Sequence, residues 1–184
     1  YTYIANPQIL SDNKINQKGQ RIFYTYTAIP QSIGADSIPY ITIMQVNKVL
    51  TKEPVFVEDN DAKDYGTDPI EISGQSISKA HLNLRYTFLN GGNHLIPHSI
   101  SLLIAKDAQP DARGYLSAEL RHDAADDLQL NANSGYVSFT LENMPGFKEG
   151  TLKGFKIKTK TIKNETDIVE VTMNNNRKSM NFNI

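Results

Sequence analysis

Residues Ala80–Ile104 read AHLNLRYTFLNGGNHLIPHSISLLI. Leu82, Leu84, Tyr86 and Phe88 alternate with Asn83, Arg85 and Thr87. A period of two is the mark of a strand with one buried face. Asn90-Gly91-Gly92-Asn93 then supplies residues that tolerate positive φ, so the chain is expected to reverse there. On the return, Ile96, Ile100, Leu102 and Ile104 share a face. The expectation is a hairpin-like pair in a β-sheet core. Pro97 has no N–H to give a ladder, so the return strand is expected at an edge or with a bulge.

Other segments repeat this pattern outward from the pair. On the N-terminal side, Gln20–Ile29 carries aromatic and β-branched residues on both faces, which suits a covered or barrel-curved strand. Tyr40–Leu50 and the short Val55–Val57 follow as strands, while 1–19 reads as turns with one short strand. On the C-terminal side the expected strands are Ile70–Ile77, with a bulge at Gly74, then Gly114–His122, Gly135–Leu141, Leu152–Lys160 and Asp167–Met173. Leu116, Leu120, Ala124 and Leu128 also fit a helical stripe; Leu116, Ala118 and Leu120 favour the strand. The segment from there to Asn133 reads as irregular, the tail from Asn174 as polar coil, and no segment reads as helix. Glu58–Pro69 is acidic and ends in Gly66, Asp68 and Pro69, which is linker chemistry. The junction is therefore expected near Thr67, dividing the chain into 1–66 and 67–184.

Composition narrows the classes. The chain has 184 residues, 39% of them hydrophobic and 21% charged, with a net charge of -1. Residues 1–66 hold six Lys or Arg and seven Asp or Glu, and 67–184 hold thirteen of each. Neither part has the basic excess of a nucleic-acid binder. No apolar run approaches the ~20 residues of a membrane-spanning helix. With no cysteine there is no disulfide, thiolate metal site or cysteine nucleophile. The chain starts at Tyr1 without an apolar leader, and the expectation is that a targeting region has been removed.

Each candidate site has a plainer structural reading. His94 and His98 are four apart, but four strand residues span ~13 Å and cannot chelate one ion. A half-buried, hydrogen-bonded His98 is the better reading. His81 and His122 add no spacing signal. Asp59, Asp61, Asp64 and Asp68 have the look of a calcium loop, yet Lys63 stands at a ligand position and the glycine comes late. Gly74-Gln75-Ser76-Ile77-Ser78 lacks the last glycine and the strand-to-helix setting of a nucleophile elbow. Lys153, Lys156, Lys158, Lys160 and Lys163 form a basic run, with Lys156, Lys158 and Lys160 opposite Phe155 and Ile157; solubility and edge protection explain it better than an anionic ligand. Asn164-Glu165-Thr166 matches a glycosylation triplet, meaningful only in a eukaryotic secretory setting. Tyr24, Tyr26, Tyr86, Tyr115 and Tyr136 sit in strand patterns and are expected to pack in cores. No catalytic, cofactor-binding or metal residue is assigned.

Val49-Leu50-Thr51-Lys52 precedes a short apolar strand and the acidic linker. Later come Leu82-Asn83-Leu84-Arg85-Tyr86, Pro97-His98-Ser99-Ile100-Ser101-Leu102, Glu119-Leu120-Arg121-His122 and Gly135-Tyr136-Val137-Ser138-Phe139. In order and spacing these resemble the NigD-like proteins of Bacteroidetes, from about Tyr40 onward. The resemblance implies an all-β chain with an N-terminal OB-like small barrel, 1–66, followed by a C-terminal β-sandwich, 67–184. It also implies export as a cell-envelope lipoprotein, anchored to the outer membrane through an N-terminal cysteine that this chain does not contain. The family name comes from a gene cluster linked to a bacteriocin, which implies an immunity or accessory role. No catalytic residues are established for the family, so none carry over. The expectation is a non-enzymatic protein without cofactor that binds a protein or glycan and no nucleic acid. The alternative is a structural or adhesin-like surface-assembly protein, which an open sheet edge able to accept a strand would favour.

Overall fold

The computed structural model describes residues 2–17, 20–33, 39–58, 65–93 and 95–173. It divides into two units, Tyr1–Leu50 and Thr51–Ile184.

In the second unit the alternation of Leu82, Leu84 and Tyr86 becomes β7 (His81–Asn90), with all three side chains buried. The return segment becomes β8 (Ser99–Ala105). The two strands do not pair, which corrects the expected hairpin. Strand β7 lies in a four-stranded sheet with β4 (Leu50–Lys52), β6 (Ile70–Ser78) and β10 (Asn131–Thr140), in the order β4-β10-β7-β6. Strand β8 lies in a five-stranded sheet with β5 (Val55–Val57), β9 (Tyr115–Asp123), β11 (Gly154–Lys160) and β12 (Thr166–Thr172), in the order β12-β11-β9-β8-β5. Residues 91–98 carry the chain from one sheet to the other. The physical reason is burial. Placed face to face, Leu82, Leu84 and Tyr86 share one core with Ile100, Leu102 and Ile104; two layers packed this way form a sandwich. Pro97 lies before β8 and interrupts no ladder. Strand β8 is interior where β5 flanks Leu103–Ala105 and pairs with β9 alone over Ser99–Leu102.

Phe139, Phe155, Leu116, Leu120, Val137 and Ile157 complete the interior. Removing one such phenylalanine side chain costs about 3–5 kcal/mol in a packed core. Leu116, Ala118 and Leu120 are all buried, so the ambiguous segment is a strand. The register of β6 on β7 shifts between Ile72 and Gly74, which is the bulge expected there. Strand β10 starts at Asn131, earlier than its apolar alternation, because pairing with β7 continues out to Asn90.

The domain junction lies between Leu50 and Thr51 instead of near Thr67. Composition pointed to the acidic stretch, but pairing decides. Val55–Val57 forms a parallel ladder with Leu103–Ala105, so the strand assigned to the first unit belongs to the sandwich.

In the first unit, β2 (Ile22–Ile33) runs antiparallel to β3 (Pro39–Lys48), and β1 (Tyr3–Ile4) runs parallel to β3 on its other side. These described strands form an open sheet, not a closed barrel. Ile41, Ile43 and Val46 form its core with Ile4, Ile9, Leu10, Ile15 and Ile22. Asn6 continues the β1 ladder with its side chain: Nδ2 donates to the Ile43 carbonyl at 2.8 Å, and Oδ1 accepts the Ile43 N–H at 2.9 Å. A five-residue helix, α1 (Gln8–Asp12), follows. Periodicity cannot reveal so short a helix; Ile9 and Leu10 hold it by packing on the sheet. Tyr24 and Tyr26 are exposed, so β2 is not covered on both faces as expected.

Candidate functional site

Strand β9 ends at Asp123, and the chain turns at once. Ala125 and Asp126 both have positive φ, 50° and 60°, and the Asp127 N–H donates to the Ala124 carbonyl at 3.0 Å. Two consecutive left-handed residues are the signature of a type I′ turn, which favours Asn and Gly. An alanine there costs about 1–2 kcal/mol. The turn aims Asp127 back at the 91–98 loop. Its Oδ2 accepts the Gly91 N–H at 2.8 Å, and its Oδ1 accepts the Leu128 N–H at 2.8 Å. Gly91 is required by the close approach: a Cβ there would fall 2.6 Å from Asp127 Oδ1. The Leu130 N–H donates to the Asn90 carbonyl at 3.1 Å and closes the two loops further. Asp127 is held below the ordinary carboxylate range by the Gly91 N–H first, then by His98 and the Leu128 N–H, against the opposing effect of burial.

Behind Asp127 stand two histidines. His98 Nε2 is 3.1 Å from Asp127 Oδ2, His98 Nδ1 is 2.9 Å from His122 Nε2, and His122 Nδ1 is 3.0 Å from the Pro69 carbonyl oxygen. A carbonyl only accepts, so His122 Nδ1 carries a hydrogen. Burial pushes His122 below its ordinary value, and the neighbouring His98 adds to this. A neutral His122 leaves Nε2 as acceptor, so His98 Nδ1 donates to it. The remaining contact sets His98 Nε2 against Asp127, their side chains only 11% and 4% exposed. Phe88 packs against both rings, at 4.9 Å and 5.0 Å. Asp68 ties in the start of β6: its Oδ2 accepts the Ala124 N–H at 2.8 Å, and its backbone N–H donates to the His122 carbonyl at 3.0 Å. This hub fixes the shape of one end of the sandwich.

The two loops also expose apolar side chains. Leu95, Leu128 and Leu130 are 90%, 63% and 69% exposed. No Lys or Arg occurs in 86–105 or 122–135, whereas Asp123, Asp126 and Asp127 do.

Sequence reasoning found His98 as a hydrogen-bonded, half-buried residue but missed its partners. His122 comes from β9 and Asp127 from a turn, and no spacing joins them to His98. The one available signal was Ala-Ala-Asp-Asp between strands, an improbable composition for a tight turn. His94 lies outside the described residues, so the His94–His98 pair does too. Asp59, Asp61 and Asp64 of the acidic stretch also lie outside them; Asp68 serves the hub. Among the described residues, no group of three or more His, Asp or Glu is placed to hold a metal ion. Gly74–Ser78 lies within strand β6, so it makes no elbow.

Lys156, Lys158 and Lys160 do share the outer face of β11, with Phe155 and Ile157 buried opposite. Strand β11 is interior to its sheet, however, so these lysines guard no edge. Lys156 Nζ pairs with Asp111 at 2.6 Å, Lys158 Nζ with Glu119 at 3.5 Å, and Lys160 Nζ donates to the Thr67 carbonyl at 3.1 Å. The Lys156 hydrogen bond, aided by the Tyr115 N–H, lowers the Asp111 carboxyl to about 2. Beside them an open groove of about 500 Å³ has Val57, Leu103, Ala105 and Ile168 in its lining. Tyr86 is a core residue as expected, while Tyr24, Tyr26 and Tyr136 are exposed.

Among curated proteins, none matches the chain. Solved structures do. A protein of unknown function from Bacteroides vulgatus is 20% identical, with a TM-score of 0.72 over 90% of this chain and 76% of that one. A NigD-like immunity protein from Bacteroides caccae is 16% identical, with a TM-score of 0.61 over 82% of this chain and 71% of that one. A protein named as a candidate lipoprotein from Bacteroides fragilis is 10% identical, with a TM-score of 0.62 over 86% and 84%. Identities this low show a shared fold. The profile of the NigD-like C-terminal beta sandwich domain matches residues 53–173 and starts within two residues of the second structural unit. By that match over the sandwich, this chain belongs to the NigD-like family.

Proposed function

We propose that this chain is a non-enzymatic binding protein of the cell envelope, with a bacteriocin-associated immunity or accessory role. The observation that carries the binding role is the hub. A buried histidine–carboxylate pair is an expensive way to stabilise a fold, since desolvation offsets much of what the contact returns. Here the pair holds two surface loops in one shape, and surface loops fixed by a rigid scaffold are where binding residues concentrate. The immunity role draws on the name of the Bacteroides caccae protein, and the lipoprotein assignment on that of the Bacteroides fragilis protein. Anchoring to the outer membrane by an N-terminal lipid belongs to the same reading. So does an OB-like origin for the N-terminal sheet, whose β2–β3 pair carries a register shift at Thr25/Tyr26 of the kind that curls strands toward a barrel.

The surface-assembly alternative needs an edge that accepts a strand, and the edges of the sandwich are defended. Strands β4 and β5 are three residues each, β6 is bulged, and Asp167 pairs with buried Thr159, which puts a charge on the inward face of β12. These are devices that discourage edge pairing.

The test is a binding screen of the purified protein against a bacteriocin panel and a glycan array, with glycan hydrolysis assayed in parallel. Saturable binding to a protein ligand is expected. Turnover of a glycan, or no ligand in either panel, would overturn the proposal.

A further inference from the structure

Asn90-Gly91 is the one Asn-Gly step in the sequence. In a free chain this dipeptide is chemically unstable. The glycine amide nitrogen attacks the side-chain carbonyl carbon of the asparagine, and glycine has no Cβ to hinder the closing ring. A bond forms between Gly91 N and Asn90 Cγ, the Cγ–Nδ2 bond breaks, and ammonia leaves with the hydrogen that Gly91 N gives up. Water then opens the five-membered succinimide at either carbonyl, leaving aspartate or isoaspartate at position 90.

The folded chain holds each participant away from this reaction. The nucleophile is engaged: the Gly91 N–H donates to Asp127 Oδ2 at 2.8 Å, a charge-assisted bond. So is the electrophile: Asn90 Oδ1 accepts the Gly92 N–H at 3.2 Å. The main chain between them is fixed as well. Asn90 lies opposite Asn131 at the end of the β7–β10 ladder, and its carbonyl accepts the Leu130 N–H at 3.1 Å. Ring closure needs Asn90 Cγ and Gly91 N to swing together, and every one of these bonds opposes that rotation.

Charge adds to the restraint. Attack requires Gly91 N to lose its hydrogen, and the negative charge so formed would lie against the Asp127 carboxylate. Asp127 is too weak a base to take that hydrogen, being held below the ordinary carboxylate range. The neighbours that could offset the charge point elsewhere: Lys52 Nζ donates to the Ile100 carbonyl, and His98 Nε2 faces Asp127 Oδ2.

We infer that Asn90-Gly91 is a latent succinimide site, kept silent by the bond from the Gly91 N–H to Asp127 and released when that bond opens. Conversion is one-way. Aspartate at position 90 sets a further carboxylate beside Asp127, and isoaspartate lengthens the main chain by one bond next to the carbonyl that Leu130 needs. Either product prevents the two loops from closing as before.

The test follows the full chain and a synthetic peptide of residues 87–93 side by side in mildly alkaline buffer. Peptide mapping by mass spectrometry and an isoaspartate methyltransferase assay read position 90, and hydrogen exchange is measured at the Gly91 amide. The folded chain is expected to convert at least about tenfold slower than the peptide. Its slowing should be no smaller than that of Gly91 exchange, because the N–H must come free for either event. Asp127→Ala is expected to regain at least about tenfold of the rate. Gly154→Ala, which strains a strand of the other sheet, is expected to leave position 90 as slow as in the parent. The comparison of conversion with exchange is made on the parent and holds whether or not a variant folds. Conversion as fast as in the peptide, Gly91 exchange as fast as in the peptide, or a slowing of conversion smaller than that of exchange would each overturn the inference. So would an unchanged rate in a folded Asp127→Ala variant, or equal acceleration in Gly154→Ala, which would assign the protection to the fold as a whole.

Discussion

His122 Nε2 stands 2.9 Å from His98 Nδ1, so a single hydrogen lies between the two rings. Adding a second hydrogen at His122 would set two N–H groups against each other. Acid is therefore expected to weaken the fold at this point. The sign follows from linkage. Unfolded His122 titrates near its ordinary 6.5, and burial lowers the folded value, with His98 opposing the charge and Asp68, Asp123 and the Pro69 carbonyl favouring it. Below 6.5 the unfolded chain binds more protons than the folded one, so stability falls as pH drops toward the folded value. Asp127, also lowered, adds a loss of the same sign at lower pH. Unfolding free energies from urea titrations at pH 7.5, 6.5 and 5.5 should decline in that order, by at most about 1.4 kcal/mol for each pH unit travelled below 6.5 toward the folded His122 value. The variant His122→Asn should flatten the profile over that range; an equally steep profile in the variant would place the titration elsewhere.

Gly91 is a second pressure point. A methyl group there would collide with Asp127 Oδ1 at 2.6 Å and crowd Leu128 Cβ at 3.0 Å. Gly91→Ala should cost about 1–3 kcal/mol and speed hydrogen exchange at the Leu130 amide, which bonds the Asn90 carbonyl. Exchange unchanged from the parent would show that the clasp tolerates the displacement.

Two other glycines test space against backbone conformation. At Gly154 a Cβ would meet the Val171 carbonyl oxygen at 2.3 Å, and backbone in a paired strand cannot move aside. At Gly150, φ is +72° but nothing lies within 4 Å. Gly154→Ala is expected to cost about 3 kcal/mol, and Gly150→Ala about 1–2 kcal/mol from the left-handed backbone alone. Chemical denaturation of both variants measures the contrast, and the reverse order would refute the account.

A fragment tests the junction. One starting at Leu50 keeps β4 and β5, whereas one starting at Thr67 strips an edge strand from each sheet. It also removes Lys52, whose Nζ donates to the Ile100 carbonyl on β8. The shorter fragment should melt at least about 10 °C lower and aggregate during gel filtration. Matching melting curves would return the boundary to the acidic stretch.

Much of the β-sheet content was legible. Leu82–Tyr86, Leu116–Leu120 and Val137–Phe139 alternate because one face of each strand is buried, and alternation is a local property. Which strand pairs with which is not local. The Asn90–Asn93 turn residues look the same whether the chain folds back beside itself or crosses to a second sheet, so the hairpin reading of Ala80–Ile104 failed. Val55–Val57 is too short to declare its partner, and its pairing with Leu103–Ala105 moved the junction. The site was less legible still. His98 was visible as a buried histidine, but His122 and Asp127 reach it from β9 and from the turn after it, and Pro69 meets His122 from the start of β6.

The adjacency of β4 and β5 also sets an order of assembly. The chain enters the sandwich through two consecutive short strands, one in each sheet. As the protein is synthesised, β5 must wait for residues 103–105 and β4 for residues 131–140. At about 5–20 residues per second that is on the order of several seconds with Leu50–Val57 made but unpaired. Pairings this distant along the chain are the slow step of all-β folding. The entry segment thus stays unpaired through much of synthesis, and only β11 and β12 are made after its partners. In the meantime it is the stretch most open to a protease or a chaperone.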